Sequence, residues 1–154
     1  MGRNHVLEYA LEIKKGDTMI QYEVKQEELS RRKDLAVHAR QMLLDNLGVV
    51  AEDETSLMTF YQNFYVQICF SEMHPLLVFY FARELEPNRI KDSKTLNALN
   101  VKSVLGSHSV NEEAGCYTFR ATIWMDTELQ SNRFFEIFDR CAEEANRGFR
   151  KMEG

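Results

Sequence analysis

The sequence predicts an α+β fold, an antiparallel sheet with helices packed against it. Three patterns carry that reading. Leu57 to Phe70, Leu76 to Leu85 and Cys116 to Asp126 alternate with period two, as strands do. Glu27 to Leu47 and Gln130 to Met152 repeat apolar residues at three- and four-residue steps, as one helix face requires. The first two alternating segments are joined by the short stretch Ser71 to Pro75, so they run antiparallel. With 154 residues the chain is sized for one domain, read as 1–154.

Residues 6–24 alternate twice, with Leu7, Tyr9, Leu11 and Ile13 on one parity and Ile20, Tyr22 and Val24 after a Lys14-Lys15-Gly16-Asp17 turn. Period two on both sides of a glycine-bearing turn predicts an extra N-terminal hairpin. An amphipathic helix over Val6 to Ile13 is the alternative. In the helix over Glu27 to Leu47, Leu35, Ala36, Ala39, Met42, Leu43 and Leu47 line one face, and Gly48 is the expected stop. An acidic connection to Thr55 follows, with an edge strand expected at Val49–Ala51.

Leu57 to Phe70 reads as one long strand. Phe60, Phe64, Val66, Ile68 and Phe70 form its core face, interrupted by Gln62, and Tyr61, Asn63, Tyr65, Gln67 and Cys69 form the other. Ser71 to Pro75 is a loop. Leu76 to Leu85 is apolar on both faces, which marks a central strand covered twice, by helices on both sides or by another subunit. Pro87 ends it, and Asn88 to Asn100 reads as a short helix with Asn100 at a left-handed stop.

Val101 to Val110, a Glu112-Glu113-Ala114-Gly115 turn and Cys116 to Asp126 form a second hairpin. Gly106 marks a bulge or a close backbone approach there. Tyr117, Phe119, Ala121, Ile123 and Met125 face one way; Thr118, Arg120, Thr122 and Trp124 face the other. The terminal helix buries Phe134, Ile137, Phe138, Cys141, Ala145, Phe149 and Met152. Leu129 is placed to staple its start on Phe134, and Gly148 costs it about 1 kcal/mol and invites fraying.

A net charge of -5 argues against nucleic acid, which needs a basic footprint. The Arg31-Arg32-Lys33 run is flanked by Glu27, Glu28 and Asp34 and reads as a solvated helix start. No apolar run reaches the ~20 residues that cross a bilayer, so no membrane is expected, and no signal-peptide pattern opens the chain. Cys69, Cys116 and Cys141 are odd in number and widely spaced, which fits free thiols in a cytoplasmic protein.

Catalytic and metal patterns are not found. His5, His38, His74 and His108 show no ligand spacing with one another or with the cysteines. Cys69 lies mid-strand, where thiols are usually inert. Glu112-Glu113 and Glu143-Glu144 are adjacent in sequence rather than convergent. The expectation is a protein that is not an enzyme and holds no cofactor or metal. The remaining lead is aromatic surface: Tyr61, Tyr65, Val78, Tyr80 and Trp124 would form a second apolar face. Helices could cover it, or it could be a subunit or partner interface anchored by Tyr and Trp.

Leu96-Asn97-Ala98-Leu99-Asn100 leading into a strand, Glu112-Glu113 at a turn, the alternating strand to Met125-Asp126 and the long terminal helix resemble the YbjN-like family of suggested bacterial sensory-transduction regulators. The resemblance covers a little over a third of the chain. It implies the type III secretion chaperone fold and a non-enzymatic domain, commonly a homodimer, that engages another protein. The hairpin expected in residues 1–25 departs from that pattern. Two competing functions stay open. One is a dedicated secretion chaperone that holds an effector extended by strand addition. The other is a small enzyme or ligand-binding protein with a cavity lined by Cys69 or His108.

Overall fold

The structure, a computed structural model, describes residues 13–15, 18–20, 24–71 and 73–154. Near the N-terminus β1 (Ile13–Lys15) and β2 (Thr18–Ile20) pair antiparallel, with Ile13 opposite Ile20. The rest of the expected hairpin up to residue 23, and most of the alternative helix, lie outside the described residues.

The main sheet has six antiparallel strands: β3 (Val49–Glu52), β4 (Ser56–Tyr61), β5 (Phe64–Phe70), β6 (Leu76–Glu84), β7 (Gly106–Asn111) and β8 (Cys116–Trp124). Their spatial order is β3-β4-β5-β6-β8-β7. Three helices, α1 (Gln26–Asn46), α2 (Ser93–Lys102) and α3 (Ser131–Glu153), accompany it. The core holds Ala39 and Leu43 of α1 and the inward stripe of α3 against one face of the strands, and α2 packs on β7 and α3. All three helices therefore share one side. The central position of β6, read from its two apolar faces, is correct, but among the described residues helices cover only one of those faces.

Aromatic rings dominate the helical side. The Phe138 ring lies 4.7 to 5.8 Å from those of Tyr61, Phe79, Phe81 and Phe134. Phe64, Phe79, Phe81, Phe119, Phe134 and Phe138 are all fully buried. Tilted and edge-on ring pairs of this kind add about 0.5–1.5 kcal/mol each beyond the area they bury.

Five expectations need correction. Leu57 to Phe70 is two strands, β4 and β5, joined at Gln62 and Asn63, whose φ values are 47° and 68°. Positive φ at both central residues defines the tight turn whose twist matches a hairpin. The turn reverses the chain, so Phe60 falls on the opposite side of the sheet from Phe64. Asn tolerates this backbone region, and without a glycine the turn leaves little trace in the sequence.

The helix before β7 also runs further than expected. Asp92 caps it by accepting from the Thr95 amide. It continues to Lys102, so Val101 is helical, Val104 and Leu105 lie in the connection, and β7 starts only at Gly106. Asn100 does not stop the helix; its side chain reaches across to β7. Gly106 does mark a close approach, since a Cβ there would sit 2.1 Å from the Arg120 carbonyl oxygen.

α3 does not fray at Gly148 and continues to Glu153. The glycine is buried, and a Cβ on it would lie 2.4 Å from both His108 Nδ1 and the Tyr117 hydroxyl. That ring and hydroxyl are 2.6 Å apart. The missing side chain lets the helix sit directly on this polar pair, which outweighs glycine's poor helix propensity.

The Arg31-Arg32-Lys33 run is only partly solvated. Arg32 is buried, bonded to Glu28 and to the Met73 carbonyl, while Arg31 grips Glu28 and the Asp126 carbonyl. Together they fasten the start of α1 to the loops after β5 and β8. The helix ends at Asn46, with Leu47 extended, so Gly48 follows the stop without serving as a left-handed cap.

Candidate protein-binding surface

The side of the sheet away from the helices is built from cross-strand rows. Phe60, Tyr65, Ala82, Thr118 and Ser109 form one row, and Met58, Gln67, Tyr80, Arg120 and Ser107 the next. Cys69, Val78 and Thr122 follow, and Leu76 pairs with Trp124 at the far end. Trp124 is 58% exposed, Tyr65 54% and Phe60 53%, values far from those of packed core rings. The Phe60 and Tyr65 rings lie 4.2 Å apart, and the Arg120 guanidinium stands 5.9 Å from the Tyr80 ring centre. The face is a platform, aromatic and aliphatic on β4, β5 and β6 apart from Gln67, with Ser107, Ser109, Thr118, Arg120 and Thr122 on β7 and β8 before Trp124, and among the described residues no helix lies over it.

Of the five residues expected here, Tyr65, Val78, Tyr80 and Trp124 come together on this platform. Tyr61 does not. The turn at Gln62 and Asn63 sends it to the helical side, where its ring packs on Phe138 and its hydroxyl bonds Asp139 of α3. Phe60 takes its place, with Met58 beside it. Parity counted through an unseen turn exchanged these neighbours, and Gln62, the one polar residue in the supposed core row, was the signal.

Both edges of the sheet are blunted. On β7 the Asn100 amide donates to the His108 carbonyl at 2.8 Å and accepts from the His108 amide at 2.7 Å. It fills the place a further strand would take. One step along, the Ser103 hydroxyl donates to the Gly106 carbonyl. On the other edge β3 is four residues long and its register shifts between Val49 and Ala51. Arg40 of α1 grips the Glu52 carboxylate and the Asp53 carbonyl at its end.

The cysteines are free thiols. Burial first, and the Asp53 carboxylate second, push the Cys69 thiol up, away from the thiolate that nucleophilic chemistry needs. Burial likewise pushes Cys141 up to about 11. Among the described residues no three His, Cys, Asp or Glu side chains are grouped to hold a metal, and no helix is long and apolar enough to cross a membrane.

A long helix, antiparallel strands, a short helix, a hairpin and a terminal helix, with all helices on one side, define the class of fold. No known protein family matches the sequence, and no curated protein matches it. Solved structures do. The crystal structure of YbjN from E. coli, a suggested transcription regulator, superposes with a TM-score of 0.56 at 14% identity, over 72% of this chain and 85% of that one. A chain of the HopA1–SchA chaperone–effector complex gives 0.54 at 18% identity, over 83% of this chain and 98% of that one. A chain of the ExoT–SpcS complex from Pseudomonas aeruginosa gives 0.50 at 13%, over 74% and 95%. The expected fold, shared by YbjN and chains of secretion chaperone–effector complexes, is the one observed. At these identities the likeness is one of fold, and a fold can host many functions.

Proposed function

We propose that the protein is a non-enzymatic, cytoplasmic protein-binding module, regulator- or chaperone-like, that uses the open face of its sheet. The supporting observation is the exposure of Phe60, Tyr65 and Trp124 on a platform that no helix covers. Exposed aromatic surface of this kind marks interaction sites, and Trp, Tyr and Arg are the residues that anchor interfaces. A second copy of the chain occupies the platform when no other partner does, which makes the protein a homodimer.

Sedimentation of the purified chain across a micromolar range tests this. A dimer is expected, and replacing Trp124 and Tyr80 together by Ala should weaken it by at least ~30-fold, the ~2 kcal/mol of a typical anchor. A strictly monomeric wild type at high micromolar concentration, or a double variant that associates unchanged, would overturn the assignment of this face.

The dedicated secretion chaperone is a second reading, favoured by the fold likeness to chains from two chaperone–effector complexes. With both sheet edges blunted, such a partner would lie across the platform instead of adding a strand. A partner co-purified with the chain should then be protease-sensitive alone and protected in the complex, and lose that protection with Trp124→Ala.

A further inference from the structure

A separate feature lies on the helical side, between α2, the start of β7 and α3. It is an open cavity of about 530 Å³, most of whose lining side chains are exposed. Its lining divides by chemistry. Leu99, Val104 and Leu105 form an apolar wall; Val104 is 89% exposed and Leu105 38%, while Leu99 is partly buried against the core. Lys102, Arg140, Arg147 and Lys151 supply cations, against two carboxylates, Glu143 and Glu144.

The charges do not cancel. Arg140 is paired with Glu136 outside the cavity, and Glu144 is engaged with the Ser103 hydroxyl and lies 3.6 Å from His108 Nε2. Among the described residues Lys102, Arg147 and Lys151 are in no ion pair. With Arg140 accounted for, three cations face two carboxylates, which leaves one positive charge uncompensated in a chain whose net charge is -5. The buried His108 ring lies at the back, its Nδ1 occupied by the Tyr117 hydroxyl.

An apolar wall opposite a cationic rim with a single surplus charge suits a ligand that is apolar at one end and singly anionic at the other. We propose that this cavity binds a small amphipathic monocarboxylate, its chain against Leu99, Val104 and Leu105 and its carboxylate between Arg147 and Lys151. Guanidinium groups pair with carboxylates through two parallel hydrogen bonds, whereas an ammonium acts as a point charge. A dianion would be left half-neutralised beside Glu143, and an uncharged chain would leave the cationic rim without a partner. The site shares no lining residue with the aromatic platform, so it stands or falls independently of the dimer.

Octanoate is the probe, with 1-octanol and inorganic phosphate as comparators, titrated into the full chain and followed by amide NMR shifts. Saturable shifts at Ser103, His108 and Gly148 are expected, with octanoate at least tenfold tighter than either comparator. Arg147→Gln combined with Lys151→Gln, both exposed positions, should weaken octanoate at least tenfold while leaving the melting temperature and the sedimentation behaviour unchanged. Octanol or phosphate binding as tightly as octanoate would overturn the proposal. So would shifts centred on Tyr65 and Trp124, or an unaltered affinity in the double variant.

Discussion

The two sides of the central sheet are made by the same strands, yet they have opposite fates. On β6, Leu77, Phe79 and Phe81 are sealed under α3, while Leu76, Val78 and Tyr80 between them stay partly open. On β8, Phe119 and Ala121 are buried and Trp124 is not. Alternation assigns each residue to a side, but it does not say which side receives helices. Composition separates the sides on β7 and β8, where the open side carries Ser107, Ser109, Thr118, Arg120 and Thr122, but not on β6, which is apolar on both. The difference arises because α1, α2 and α3 all return to one side, which among the described residues leaves the other side without a helix over it.

The largest test of that contrast is a pair of truncations. Phe138→Ala should cost about 3–5 kcal/mol, because the ring sits among four others in the sealed core. Phe60→Ala on the open side should cost the monomer under about 1 kcal/mol in urea unfolding, since half of its surface is already wet. Comparable losses would mean that the platform is covered within the chain.

Next comes the junction of helix and sheet. Gly148→Ala should destabilise by about 1–3 kcal/mol although alanine is the better helix former, because the methyl would drive into His108 and Tyr117. A stabilised variant would show that the approach is looser than 2.4 Å implies.

Smaller effects follow from titration. Burial, with help from the Arg147 charge and opposed by Glu144, lowers the pKa of His108. The stability tied to its neutral ring is complete above the ordinary histidine value near 6.5 and is lost as pH falls through the lower folded value. Melting temperature should therefore decline from pH 7 toward 5, and His108→Gln should flatten the decline; an identical slope in both proteins would exclude the ring as its source. At the start of α1, hydrogen bonds from Arg31 and then Arg32 hold the Glu28 carboxyl at about 2. Its contribution is complete above the usual 4.5 and fades as pH falls through about 2, so a side-chain NMR titration midpoint above 4 would break the clip.

The smallest expected change concerns the turn that separates the two sides. Gln62→Asn with Asn63→Gly supplies residues that accept the observed positive φ values, and should stabilise by up to about 1 kcal/mol. A loss of stability would mean that Gln62 matters more through its hydrogen bond to Asn146 of α3 than through its backbone.

Strong periodicity made most elements legible. The inward stripe of α3, the alternation of β8 and the long first helix stand where their spacing places them, because burying a continuous apolar face leaves each little choice of register. Four of the five proposed surface residues were also readable, from aromatic side chains on the parity opposite the core. Tyr61 was not, since a two-residue turn without glycine shifts parity and Gln62 in an otherwise apolar row is the one mark it leaves. Nor could the roles of Asn100 and Gly148 be seen, because their partner, His108, is distant in sequence or on another element.

By itself, then, the sequence determined the α+β class, the antiparallel pairing and the sorting of most strand residues onto two sides, since these follow from local period and turn chemistry. Tertiary structure decided which side is sealed, how both edges are closed and where unpaired cations meet an apolar wall. Those outcomes depend on where helices return in space, which no local pattern encodes.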